Sequence, residues 1–253
     1  MFNPLDTPVL VLVLTLPTFW ISAIIGASFR KGQQNLKDES QEDLTLLLGA
    51  TLTLLGLIIG FTFSMAVSRY DQRKNLEEEE ANAIGTEYIR AGLLPAADAV
   101  RVQALLKRYL GQRILIYNPP AASGTQEIDA QTAQLQSEMW SSVATPAMTQ
   151  PTPVAALILS GMNDVLNSQG YTHAAWRNRI PAGAWILVVA ISIFCNLLVG
   201  FSAHKRSIVL LLILPIALSV ALFLIADIDA PRHGVIRVRP QNLESLAESL
   251  HSR

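Results

Sequence analysis

Apolar and polar positions along this chain fall into blocks instead of a fine alternation. Four runs hold no Asp, Glu, Lys or Arg: Pro8–Phe29, Leu44–Val67, Ala182–Ala203 and Ser207–Ile225. Each is close to the ~20 residues a helix needs to cross the hydrocarbon core of a bilayer. The pattern predicts four transmembrane helices in two pairs. Spans one and two are joined by the polar loop "RKGQQNLKDESQED", and spans three and four by "HKR". Pro17 and Pro215 lie inside spans one and four, where kinks are expected and tolerated in membrane helices.

Between the pairs the pattern changes to the period of amphipathic helices. Val102, Leu105, Leu106, Tyr109 and Leu110 recur at i, i+3, i+4, i+7 and i+8, with Asp98 as a candidate N-cap. A weaker helix carries Ile128, Leu135, Met139 and Val143. Another, after "PTP", carries Val154, Leu157, Ile158, Met162, Val165 and Leu166. Span two runs on from Ser68 to about Leu94 before Pro95, and "NPPAASG" reads as a turn. These stripes predict core packing. The fold expected is all-α, divided as 1–67 (spans one and two), 68–181 (a helical extramembrane region), 182–226 (spans three and four) and 227–253 (a C-terminal tail). With an even number of spans, the N-terminus, the middle region and the tail share one side.

Composition agrees with a membrane protein: 51% of the 253 residues are hydrophobic and 15% charged. The first run has no basic residue before it, so it reads as a retained helix and not as a signal peptide. Net charge is −1, which gives no footing for nucleic-acid binding. Basic residues divide between the two sides. Arg30, Lys31, Lys37, Lys205 and Arg206 sit in the short loops, where the positive-inside rule would make those loops cytoplasmic. Arg69, Arg73, Lys74, Arg177, Arg179, Arg232, Arg237 and Arg239 lie near membrane ends on the opposite side.

Chemistry-bearing motifs are not found. His173, His204, His233 and His251 are scattered, and Cys195, the single cysteine, sits in the third apolar run as a small core residue. No HExxH, paired CxxC, EF-hand loop, Walker A or GxSxG occurs, so neither an enzyme, a metal site nor a cofactor is expected. Glu77–Glu80 occupies consecutive positions and reads as a solvated face. Arg73 with Glu77 and Lys74 with Glu78 are spaced for i, i+4 pairs.

The second span carries the most specific signal. At 100° per residue Gly49, Thr53, Gly56, Gly60 and Ser64 fall within about 80° of one another, and Leu57, Phe61 and Ser68 adjoin them. Two functions suit such a face. Small residues let helices approach closely, as Gly56-x-x-x-Gly60 would within the chain. Alternatively, several copies around an axis would make it a pore wall, with Leu57 and Phe61 narrowing it, and rings of apolar side chains can gate by dewetting.

The stretch "LGLIIGFTFSMAVSRYDQRKNL" resembles the pore-helix segment of bestrophins, matching at Gly60, Phe61, Arg69 and Tyr70. "EEEEANAIGTEYIRAGLLP", "RNRIPAGAWILVV" and the tail "DIDAPRHGVIRVRPQNLESL" are similar to prokaryotic bestrophin-like proteins. The resemblance implies a homopentameric channel in the cell membrane (the inner membrane of a bacterium), multi-pass, passing small inorganic ions. By position it implies a constriction at Thr53, Leu57 and Phe61, of which only Phe61 keeps the aromatic character. Gly49, Gly56, Gly60, Ser64 and Ser68 would line the pore or pack helices. It places the middle region in the cytoplasm. The acidic calcium clasp of animal bestrophins is reduced here to Asp227 and Asp229, so calcium gating is not expected. The alternative function is a non-conducting membrane scaffold or sensor whose helical middle region binds a partner protein.

Overall fold

The computed structural model describes residues 7–31, 38–117, 125–203, 208–231 and 234–252. These form eight helices, with no strand among the described residues. In chain order they are α1 (Pro8–Lys31), α2 (Asp38–Ala91), α3 (Ala96–Tyr117), α4 (Thr125–Thr149), α5 (Pro153–Arg177), α6 (Ala182–Ser202), α7 (Ile208–Asp229) and α8 (Gln241–His251). The fold is all-α, as the block pattern predicts, and α1, α2, α6 and α7 are long and apolar enough to cross a membrane. Pro17 and Pro215 lie inside uninterrupted helices. The turn expected at "NPPAASG" and the connection "HKR" lie outside the described residues.

Contacts divide the chain into two compact units. The first comprises Met1–Tyr70 and Arg179–Arg237, the second Asp71–Asn178 and Val238–Arg253. Helix α2 contributes to both and is continuous for 54 residues, about 80 Å at 1.5 Å per residue.

In the first unit α1 packs against α6 and α7. Gly26 and Gly200 set the approach of α1 to α6. An added Cβ at Gly26 would strike the carbonyl of Leu197, and one at Gly200 the carbonyl of Ala23. The close small-residue contact of membrane helices therefore sits here. Phe19, Val188, Cys195, Leu222 and Ile225 fill the core beside it, each fully buried. The hydroxyls of Thr15, Ser22 and Ser192 donate to carbonyls four residues back, which satisfies them inside their own helices. Arg30 donates to the carbonyls of Phe201 and Ser202 at 3.2 and 2.7 Å, occupying acceptors that the end of α6 leaves open.

The second unit packs the rest of α2 with α3, α4, α5 and α8 around Ile84, Leu106, Tyr109, Met139, Ile158, Met162 and Leu243. The predicted stripes of α3 and α4 are buried in full. That of α5 is buried at Ile158, Met162 and Val165, whereas Val154 and Leu157 are exposed because they belong to the first turn and its outer side. Thr152 caps α5, accepting from Ala155 N at 3.1 Å with Pro153 following. Asp98 is not the N-cap of α3. The helix already begins at Ala96, so Asp98 stands in its first turn, where a carboxylate still favours the positive end of the helix dipole. Helix α2 ends at Ala91, in a turn closed by Gly92 N to Ile89 O and Leu94 N to Ala91 O. The tail holds a helix that the block pattern passes over: α8 turns Leu243 and Leu250 into the core, with Leu246 packed beside them.

Candidate functional site

Helix α2 has two sides in its membrane half. Leu55, Thr62 and Ala66 face the first unit and are buried. Gly49, Thr53, Gly56, Leu57, Gly60, Phe61, Ser64 and Ser68 are all exposed. Leu57 is 53% and Phe61 63% exposed. An added Cβ at Gly49, Gly56 or Gly60 would meet nothing within 4 Å. The described residues of this chain therefore leave the small-residue stripe uncovered. Only 6% of the most apolar window of α2 is buried, against 28% in α1 and 50% in α7. Exposed leucines need no explanation in a lipid-facing helix, but a run of glycine, threonine and serine offers lipid little apolar area. The Thr53 hydroxyl donates to the carbonyl of Gly49 at 2.8 Å, which leaves its oxygen free to accept.

The charged half departs from the expectation of a solvated face. Glu78 and Glu79 are exposed, but Glu77 and Glu80 are 1% and 0% exposed. Glu77 accepts from the backbone N–H of Asn242 and of Leu243, both at 3.0 Å, and from the Asn242 amide at 2.6 Å. It thereby satisfies the first N–H groups of α8 with a full negative charge, which suits a helix N-terminus. Glu80 holds a bidentate pair with Arg113 of α3, and Thr172 Oγ1 of α5 lies 3.1 Å from its Oε2. Burial alone would pull Arg113 down; the Glu80 carboxylate outweighs it and keeps the guanidinium charged. Burial, reinforced by Glu80, pushes the phenols of Tyr109 and Tyr117 well above their ordinary range. Arg73 is 2% exposed and donates to the carbonyls of Ala175 and Asn178 at 3.4 and 3.3 Å, at the end of α5. Arg73, Glu77, Glu80 and Arg113, which look like surface charge in the sequence, are thus internal ties of the second unit.

After α7, the Asp227 carboxylate accepts from Val235 N at 2.7 Å and Ile236 N at 2.8 Å. Asp229 accepts from Ile180 N at 3.2 Å. Gly234 makes the first of these folds possible, since an added Cβ would strike the carbonyl of Asp227. Among the described residues no group of three or more His, Cys, Asp or Glu is placed to hold a metal ion. Asp227 shapes the backbone turn after α7, and Asp229 ties the end of α7 to the backbone before α6. The spacing of Asp227 to Gly234 in "DIDAPRHGVI" is the signal that could have shown the turn.

The sequence matches the family model described as a bestrophin-like domain over residues 15–243. No curated protein matches it significantly. Crystal structures of a bacterial bestrophin homolog from Klebsiella pneumoniae resemble it closely in fold. One single-mutation form gives a TM-score of 0.66 at 14% identity, covering 97% of this chain and 98% of that one. Another gives 0.66 at 13%, covering 95% and 98%. The form solved by Zn-SAD phasing gives 0.65 at 13%, covering 96% and 97%.

Proposed function

The chain belongs to the bestrophin-like family, and from that premise we propose that it is the subunit of an oligomeric ion channel in the cell membrane, with α2 lining a central pore. The observation that carries this reading is the uncovered stripe of α2: eight residues, Gly49 to Ser68, all exposed, with open space beyond its three glycines. Copies of the chain around an axis would cover it and leave a water-filled path at its centre.

Five copies, the number the family resemblance implies, would leave room for a pore. Helices 8–10 Å apart in a ring of five stand about 7–8.5 Å from the axis. Subtracting the ~2.3 Å Cα radius leaves about 5 Å of radial space. Glycine and serine leave that space open, whereas Leu57 and Phe61 fill much of it. Thr53, Leu57 and Phe61, one turn apart, would form the constriction, and Ser64 and Ser68 would contact ions beyond it. Truncating Leu57 or Phe61 to Ala should raise ion flux through proteoliposomes several-fold, since an apolar ring that dewets is the main barrier. Unchanged flux in both variants would place the barrier elsewhere.

The same face supports small cations as the permeant class. On an ideal helix Asp71, Asn75, Glu78, Glu79 and Asn82 lie within about 100° of one another, in line with Leu57, Phe61 and Ser68. All five are exposed. No Lys or Arg falls in that arc, and Arg73 is buried. Repeated in each subunit at a pore mouth, where charges from neighbouring copies stand within the 8–10 Å screening distance, three carboxylates per chain raise the local cation concentration.

A further inference from the structure

Glu87 of α2 is 0% exposed, and neither of its carboxylate oxygens meets a hydrogen-bond donor. Its neighbour on α5 is Gly161, where an added Cβ would collide with Glu87 Oε2 and come within 2.6 Å of Arg90 Nη1. The carboxyl group is therefore pressed against bare helix backbone. Two charged groups face it, Arg90 from α2 and Asp164 from α5. From α3, Gln103 donates to the Tyr88 carbonyl. Lys107 lies over the Tyr88 ring and donates to the Leu250 carbonyl. A buried carboxylate without donors is costly, while the neutral acid in the same place is tolerated. Glu80, seven residues earlier on the same helix, meets this problem with Arg113 and Thr172; Glu87 has no such partners.

We propose that Glu87 is a proton-operated latch between α2 and α5. When neutral it seats against Gly161; when ionised it must gain water or move toward Arg90, and the seat opens. Burial pushes its pKa up from 4.5 to about 8, with Arg90 pulling down and Asp164 pushing up, so the latch works near neutral pH. Because the folded state binds this proton more tightly than the unfolded chain, stability falls as pH rises from the ordinary carboxylate range to about 8 and is level above it. That ion flux should follow the latch rests on the reading of α2 as the pore helix. The protonation and the packing change do not depend on that reading.

The test uses full-length protein as wild type, Glu87→Gln and Asp164→Asn, from about pH 6 to about pH 9. Wild type should lose a protonated-carboxyl infrared band and about 5 °C or more of Tm over that range. Glu87→Gln should show neither change. Asp164→Asn should keep both but shift their midpoint to lower pH. In proteoliposomes, flux should change with pH in wild type and not in Glu87→Gln. The proposal is overturned if the band or the Tm slope persists in Glu87→Gln, or if the pH dependence of flux is the same in both proteins. If no variant passes ions at any pH, the channel reading fails, and the band and Tm data still decide the latch.

Discussion

Single residues on α2 divide into those that face the chain's own core and those that face away from it. Glu77, Glu80 and Arg73 are charged groups turned inward and fully occupied. Leu57 and Phe61 are apolar groups turned outward. In water this inversion would be costly; it suits a helix whose other partner is a second copy or lipid. Breaking a buried pair by removing one partner costs about 3–5 kcal/mol, because the remaining charge is left without compensation. Glu80→Gln should accordingly destabilise the second unit by that amount in thermal or denaturant unfolding, while Glu78→Gln, at an exposed position, should leave stability within experimental scatter. Equal effects at the two positions would contradict the burial pattern. The sequence could not separate these four glutamates. They are consecutive and chemically identical, and which of them is internal depends on α3, α5 and α8 arriving from distant parts of the chain.

Among the elements, long periodic segments are legible in the sequence and short or locally ambiguous ones are not. The spans follow from long uncharged apolar blocks and the stripes of α3 and α4 from helical periodicity, and the stripes are buried where it says. Helix α8 is only 11 residues, and its leucines follow a basic, proline-containing stretch that reads as tail. The start of α3 is ambiguous in the sequence because Asp98 suits both a cap and a first turn. Gly56 and Gly60 match the pattern of close helix contact, yet the contact within the chain is made by Gly26 and Gly200. The motif registers small side chains and carries no information on which neighbour comes close. For α2 itself, the continuous outward arc predicts a selectivity effect. Neutralising Asp71, Glu78 and Glu79 together to Asn and Gln should shift the reversal potential across a salt gradient toward lower cation preference, by several-fold in permeability ratio. A preference unaffected by the triple change would remove these residues from the ion path.

At the scale of the whole molecule, the first unit encloses α1, α6 and α7 around a tight core and leaves one long face of α2 outside it. The four apolar runs of one chain hold no Asp, Glu, Lys or Arg, so the function proposed requires that face to be shared among copies. A scaffold or sensor would bury the same stripe in dry helix contacts. The two arrangements differ in one respect that can be measured, namely whether water and ions reach the stripe. The direct measurement replaces the buried Cys195 with Ser, adds Ser64→Cys, and follows ion flux through proteoliposomes before and after a small, charged, membrane-impermeant thiol reagent. If α2 lines the pore, the reagent blocks conduction, with no block in the Cys195→Ser background. Conduction that is absent, or that persists at full size after the introduced thiol has been modified, would contradict that reading.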